Sequence, residues 1–368
     1  MSQPLVSIFM FCKDRQESVA RAIDSVLGQS WPQIEIVVQD AASTDGTLEI
    51  LKGFGNAIKL VSAPDSGPAE GFHRALQRCR GVYIGSCLSD EELQPDAVER
   101  AVAYLESHPG AGAITGDAEI IDINGRVIGQ YISKEFALIS YLTGEYCPFF
   151  VSSFFRRQAL VDVGIMDGDW QPTSIEFEMW CRLGADKDIH YVPGKFGRYG
   201  IHPGQLSNVP SDIHSHMDGR IKVIEWMFTP GGLFSSPTPD CALLMYHLLA
   251  RQCVNQFNHV MCHRLSAAAA RYWDLFLLYS RRLAQVLAAQ AERTYDDARI
   301  IALVAANPDV MFRENAVDIV IATLAAAAFP VQPFDPLSPV SVPMPARIEL
   351  PPLPPALHAV AAAELDRY

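Results

Sequence analysis

Short apolar runs and amphipathic stretches alternate along the first third of the chain. Leu5 to Phe11 is an apolar run of strand length, and Ser18 to Gln29 sets Val19, Ile23, Val26 and Leu27 on one helical face. Ile34 to Val38 predicts a second buried strand, Leu48 to Phe54 a helix, and Ile58 to Val61 a third strand. Ala69 to Cys79 then reads as a helix and Val82 to Cys87 as a fourth strand. This alternation predicts an α/β domain with a mostly parallel sheet and helices on both faces. Polar clusters follow the C-terminal ends of the second, third and fourth strands, which puts Asp40, Asp65 and Asp90 on one rim of the sheet. Open α/β sheets bind their ligands at that rim.

Further on, Ala97 to Ser107 predicts a helix and Ala111 to Thr115 a strand. Glu119 to Ile123 and Val127 to Tyr131 flank Asn124-Gly125, a strong hairpin signal. Phe136 to Leu142 and Arg157 to Val163 predict short helices, and Ile175 to Leu183 an amphipathic one carrying Glu176 and Glu178. Tyr191 to Ser207 is rich in glycine and reads as a loop containing His202. From about Ser215 to Phe329 the pattern is helical, often rich in alanine and leucine, without strand signals. Pro330 to Pro355 is crowded with prolines and predicts an extended or disordered tail. The expected organisation is a domain over 1–214, a helical region over 215–329 and a Pro-rich tail over 330–368.

Composition narrows the function classes. Lys+Arg 29 against Asp+Glu 42 gives a net charge of −13, which argues against a nucleic-acid surface. The eight cysteines show no Cys-x-x-Cys pair and read as reduced thiols of a cytoplasmic protein. The N-terminal Met-Ser-Gln-Pro has no signal-peptide pattern, and no apolar run reaches membrane-spanning length. Gly53-Phe-Gly55 follows a helical segment and lacks the third glycine of a dinucleotide fingerprint. His259, Cys262 and His263 have metal-compatible helical spacing, but no fourth ligand is evident.

The chemistry concentrates in Gly81 to Glu92, where an apolar strand breaks into Ser89-Asp90-Glu91-Glu92 before Pro95. Carboxylates at a strand end suit a divalent cation; they equally suit the acidic start of the following helix. The wider series decides how to read them. Val6 to Arg15, Ala22 to Pro32, Ile36 to Asp40 and Ser43 to Thr47 resemble the opening of inverting family-2 glycosyltransferases with the GT-A fold. The resemblance continues through Asp65-Ser-Gly67, Gly81 to Ile84, Ser89-Asp90-Glu91, Phe154 to Arg157, Glu176 to Leu183 and Tyr199 to Ser207, about the first 210 residues.

The resemblance implies roles at these positions. Asp40 would hydrogen-bond the base of the nucleotide, with Asp65, Arg74 and Ser89 along the ribose and diphosphate. Asp90 would be the surviving metal ligand of an Asp-x-Asp element whose first position here is Leu88, and His202 would close over the diphosphate and a Mg²⁺ or Mn²⁺ ion. Asp45 reads as a helix cap, and Arg74 could equally be a solvated helix residue. Asp117 resembles an acceptor-side position or simply the entry to the hairpin. Glu176 would be the base, with Asp167, Asp169 or Asp117 next in line; helical spacing puts Glu176 on the side of Met179, Trp180 and Leu183, with Glu178 turned about 200° away.

The implied activity is metal-dependent transfer of a sugar from a nucleotide-sugar donor, UDP-linked on this reading, to a glycan or lipid-linked glycan, in the cytoplasm or at the inner face of a membrane. The helical region would shape the acceptor side, form a homodimer or touch the membrane, with Trp226, Met227, Phe228 and Phe234 as an apolar surface or a buried core. A rival reading is a non-catalytic, nucleotide-binding partner subunit, supported by Leu88 and by Gly200, where many relatives carry a basic residue. A nucleotidyltransferase would need a glycine-rich loop after the first strand, and Met10 to Arg15 lacks it.

Overall fold

In a computed structural model, residues 3–142, 146–166, 175–202 and 210–229 are described, with residue 205 and short stretches between 232 and 279. The Pro-rich tail, Asp167, Asp169, Phe234 and the His259–His263 spacing lie outside the described residues. Contacts divide the chain into two compact units, Met1–Tyr141 with Glu145–Val209, and Leu142–Gly144 with Pro210–Tyr368.

The first unit begins β1 (Val6–Cys12), α1 (Val19–Leu27), β2 (Ile34–Asp40), α2 (Thr47–Gly53), β3 (Lys59–Ser62), α3 (Pro68–Gln77), β4 (Tyr83–Ser86). It continues β5 (Glu92–Leu93), α4 (Ala97–Ser107), β6 (Ala111–Ile121), β7 (Val127–Tyr131), α5 (Leu138–Leu142), β8 (Ser153–Arg156), α6 (Arg157–Asp162), α7 (Ile175–Asp186), β9 (Asp188–Gly200). One sheet orders the strands β3-β2-β1-β4-β8-β6-β9-β5, with β7 paired to β6. β3, β2, β1 and β4 run parallel, as the strand–helix alternation requires. Beyond β4 the sheet is mixed: β8 is antiparallel to both β4 and β6, while β9 runs parallel to β6.

Alternation along β1 explains the two helical layers. Val6, Ile8 and Met10 join a core with Val19, Ile23 and Val26 of α1 and Val98, Val102 and Leu105 of α4. Phe9 and Phe11 face the other way, onto Phe72 of α3, with ring centroids 5.0 and 6.0 Å apart. A strand covered on both faces has no polar side, which is why it reads as an unbroken apolar run. The hairpin between β6 and β7 forms at Asn124-Gly125: Gly125 takes φ 79°, and Asp122 accepts the N–H groups of Asn124 and Arg126, each at 2.9 Å. Arg156 closes the C-terminus of α4 by donating to the carbonyls of Leu105, His108 (3.1 Å) and Ala111 (2.7 Å).

Two stretches differ from the sequence-based expectation. The glycine-rich segment around 191–200 is β9, not a loop, and β6 is one strand where two were predicted. The glycines mark close approaches within the sheet. A Cβ on Gly116 would lie 2.3 Å from the Phe196 ring, and one on Gly197 would lie 2.6 Å from Val151. Short β8 is a further strand that the apolar pattern did not separate from the helix after it.

In the second unit, α8 (Pro210–Met227) buries Ile221, Val223, Ile224 and Met227, and Trp226 and Phe228 are half-buried. Its described residues beyond that helix are helical apart from a short turn. Tyr279 donates to Glu225 at 2.8 Å, and burial pushes the Glu225 carboxyl up. No described helix is long and apolar enough to cross a membrane.

At the opposite end of the sheet from the ligand rim, the buried Glu35 joins three segments. It accepts from Lys59 Nζ, from Ser7 Oγ and, at 2.6 Å, from the Arg80 N–H, while Ser7 Oγ accepts the Gly81 N–H at 2.8 Å. Burial opposes its ionisation, but these donors outweigh it and hold its carboxyl below the ordinary 4.5. A depressed carboxyl contributes stability above its unfolded value and loses it as pH falls through the folded one. Glu35→Gln should therefore cost about 1–2 kcal/mol at pH 7 and progressively less below pH 4.5, measured by urea denaturation across pH.

Candidate functional site

The C-terminal ends of β1, β2 and β4 share one rim because these strands are parallel and in register, with Cys12 beside Asp40. Two loops lock together there. Asp14, at φ 52°, accepts the Thr44 N–H at 2.7 Å, and its own N–H donates to Ser43 Oγ at 2.9 Å. Thr47 Oγ1 accepts the Arg15 N–H at 2.6 Å, and Gln16 Oε1 accepts the Gly46 N–H at 2.8 Å. Asp45 accepts the Thr47 N–H at 2.9 Å in a turn just ahead of α2, whose N-cap is Gly46, so Asp45 is not the helix cap that the sequence led us to expect.

Asp40 ends β2 and is fully buried. It accepts from Ser43 Oγ, from the Ser43 N–H at 3.1 Å and from Ser62 Oγ at 2.6 Å. The carboxylate thus holds the β2–α2 turn and the end of β3, a task that the sequence reading gives to Ser43 and Asp45. Burial, and then the charge of Asp40, push the neighbouring Cys12 thiol up to about 12, which makes it a poor nucleophile at neutral pH. Asp65 lies in the loop before α3, accepts the Gly67 N–H at 3.1 Å, and is raised by burial and by Glu70. Arg74 is already engaged with Glu70 and with the Pro64 carbonyl at 2.9 Å.

The strongest convergence is at the end of β4. The chain turns through Leu88-Ser89-Asp90-Glu91, closed by the Glu91 N–H donating to the Leu88 carbonyl at 3.1 Å. Ser89 is buried, and Oδ2 of Asp90 meets Nε2 of His202 at 3.0 Å. These side chains are 112 positions apart in the chain, and β9 brings them together. Its ladder with β6 ends at the pair Ile121–Gly200 and is extended by the Ile201 N–H donating to the Ile121 carbonyl at 2.8 Å. Gly200 passes so close that a Cβ there would lie 2.2 Å from the Asp90 carbonyl oxygen. A cleft of about 420 Å³ adjoins His202, walled by Asp14, Arg15, Gln16, Ser18, Asp45 and Ile123.

A hard oxygen and an imidazole nitrogen beside a polar cleft suit a divalent ion that takes its other ligands from water and phosphate. Among the described residues no third histidine, cysteine or carboxylate completes an all-protein cage.

Helix α7 places the two candidate glutamates differently from the helical-wheel reading. Met179, Trp180 and Leu183 are buried as expected, but so are Phe177, Glu178 and Cys181. Glu178 is therefore not turned to solvent; it accepts from Arg182 Nε at 2.8 Å and Nη2 at 2.6 Å. Arg182 also donates to the Val163 carbonyl at 3.1 Å. Glu176 is only half-buried and lies near enough to act electrostatically on Glu91. The Glu91 carboxyl is raised well above its ordinary value by burial, then by Asp90, with Glu176 adding to it.

Asp117 is buried, and its carboxylate accepts from Ser133 N–H at 2.9 Å, Tyr191 O–H at 3.0 Å and Gly194 N–H at 3.0 Å. The signal for both buried acids was present in the sequence. Glu178 and Arg182 are four apart, and Asp117 follows a glycine inside an apolar strand.

Residues 7–162 match the model of the Glycosyl transferase family 2. The chain is 37% identical over 186 residues to a chondroitin synthase of Pasteurella multocida (strain Pm70), covering 49% of this chain and 19% of that one. It is 26% identical over 199 residues to a poly-β-1,6-N-acetyl-D-glucosamine synthase of Staphylococcus epidermidis, covering 51% of this chain and 48% of the relative. The chain thus spans about a fifth of the one synthase and about half of the other. Among solved structures, S. aureus TarS residues 1–349 in complex with UDP-GlcNAc superposes with a TM-score of 0.55 at 14% identity, covering 88% of this chain and 90% of that one. The sheet is thus the GT-A fold.

Removing the charge of Glu178 takes the buried carboxylate partner from a mostly covered guanidinium. Glu178→Gln should cost about 3 kcal/mol, read as a lowered midpoint in urea, because breaking one side of a buried pair leaves the other uncompensated.

Proposed function

We propose that this family-2 glycosyltransferase chain moves a sugar from a nucleotide-sugar donor, UDP-linked, to a hydroxyl of a glycan or lipid-linked glycan, with inversion at the anomeric carbon. The observation that carries the reading is the contact of Asp90 with His202, which lines the polar cleft. A fold alone does not specify a reaction; a carboxylate and an imidazole brought together at a parallel-strand rim specify much more. The matched relatives make chondroitin and poly-N-acetylglucosamine, and TarS was solved with UDP-GlcNAc, so UDP-N-acetylhexosamines are the first donors to try.

Asp65, Arg74 and Ser89 would line the donor from the rim, and Asp40 would meet the base by exchanging one of its present hydroxyl donors. Asp90 and His202 would hold Mg²⁺ or Mn²⁺, which supplies positive charge beside the departing diphosphate. Glu176, on the first turn of α7, would take the proton of the acceptor hydroxyl as its oxygen bonds to the anomeric carbon. The bond from that carbon to the diphosphate oxygen breaks in the same step, and the electron pair leaves with the nucleotide. Burial of Glu178 against Arg182 leaves Glu176 as the α7 carboxylate for this role.

Leu88 in place of a first acid favours a second reading, a partner subunit that binds nucleotide without turnover. Donor hydrolysis measured with and without Mn²⁺ separates the two.

UDP at about a hundred times its Kd should stabilise the protein by about 2.7 kcal/mol, more with Mn²⁺ present, and calorimetric titration showing no binding of UDP, GDP or dTDP would remove the donor site. Glu176→Gln should lower kcat by about 10²–10⁴-fold while UDP affinity and Tm stay near wild type. Near-normal transfer by that variant would place the base elsewhere.

A further inference from the structure

Asp90 owes its aim to the backbone that carries it. Among the described residues its carboxylate meets the side chain of His202 and makes no other side-chain hydrogen bond. The backbone is fixed from two sides. Gly200 packs on the Asp90 carbonyl from above, at a distance that admits no side chain. From below, the Leu88–Glu91 turn is clamped twice. The Glu91 N–H donates to the Leu88 carbonyl at 3.1 Å, and Oε2 of Glu91 accepts the Leu88 N–H at 2.8 Å. The second bond is made by a side chain that is only 3% exposed. It ties the last residue of the turn back to the first, with Ser89 and Asp90 between them. The Cys87 thiol adds a weaker contact to the Glu91 carbonyl, at 3.5 Å.

We propose that Glu91 is a positioning residue. By accepting the Leu88 N–H, its buried carboxyl fixes the turn that points Asp90 at the metal–diphosphate end of the donor. The inference rests on the donor-site reading above. It accounts for how one acid can serve where the first acid of the pair is Leu88: a lone carboxylate needs its direction set by something other than a second ligand. Glu91 itself touches neither substrate nor metal in this assignment, and its effect passes through Asp90.

The test compares Glu91→Ala, which deletes the acceptor, with Glu91→Gln, which keeps an oxygen at the same reach. Mn²⁺ binding in the presence of saturating UDP is read by electron paramagnetic resonance, alongside donor KM, kcat and Tm. Glu91→Ala should weaken Mn²⁺ binding and raise the donor KM by roughly tenfold or more in folded protein, the range found when a partner behind a metal ligand is removed. Glu91→Gln should stay within about twofold of wild type, since the hydrogen bond survives. Wild-type Mn²⁺ affinity and KM in Glu91→Ala, with only Tm lowered, would reduce Glu91 to a packing role and overturn the proposal. A Glu91→Gln protein as damaged as the alanine variant would overturn it too. Where Glu91→Ala does not fold, Glu91→Met carries the same comparison at nearly native volume. Wild-type protein that binds neither UDP nor Mn²⁺ is a different failure, and it takes down the donor site itself.

Discussion

The ladder between β6 and β9 is the constraint on which the site depends. β1, β2 and β4 need only local alternation to line up in parallel, but they supply one side of a cleft. The other side comes from a strand that starts at Asp188 and pairs along β6 as far as Gly200. A slip of one residue in that register would turn every side chain of β9 to the opposite face and carry His202 away from Asp90. Register is held by more than backbone bonds. Arg198 on β9 pairs with Glu119 on β6 at 3.0 Å and with Glu92 on β5 at 3.1 Å, and Lys195 pairs with Glu119 at 2.9 Å. Each such half-exposed pair is worth little alone, about 0–1 kcal/mol. Together they distinguish the native register from its neighbours, because a shifted β9 would leave Glu119 without its two cations and Glu92 with Arg21 alone.

The acids of the rim divide by what surrounds them. Asp40, Asp117 and Glu178 are buried and accept hydrogen bonds from other parts of the fold. Asp90 and Glu176 are only partly buried. In a chain of net charge −13, the acids near an anionic donor would repel it unless a cation came between them. The pairing of Asp90 with an imidazole is a first step in that direction.

Much of this was legible in the residues. The parallel strands, their connecting helices and the Asn124-Gly125 hairpin follow from apolar runs and turn chemistry to within a residue or two. The reach of Asp90 to His202 followed only through the resemblance, since no periodicity links positions so far apart. β9 was hidden because Pro193, Gly194, Gly197 and Gly200 are loop formers by local propensity, whereas here the glycines answer to crowding from Arg100, Val151 and Asp90. The hydrogen bonds of Asp40 were hidden for a related reason. A turn that already holds Ser43 and Asp45 looks complete in sequence, yet the fold routes both Ser43 and Ser62 to the aspartate. For α7, the helical wheel assumes one wet face. A helix covered on nearly every side has none, and only the Glu178–Arg182 spacing hints that an acid lies within.

The crossing of β9 over the Asp90 carbonyl sets Gly200 apart from Leu88 in what each position can hold. Leu88 is half-buried at the start of its turn, where the backbone already carries a side chain. Gly200 has no such latitude, since any side chain would occupy the space of a neighbouring oxygen 2.2 Å away. An engineer reshaping this turn thus finds one position that holds a side chain and one that admits none. Gly200 can change only together with the path of the strand.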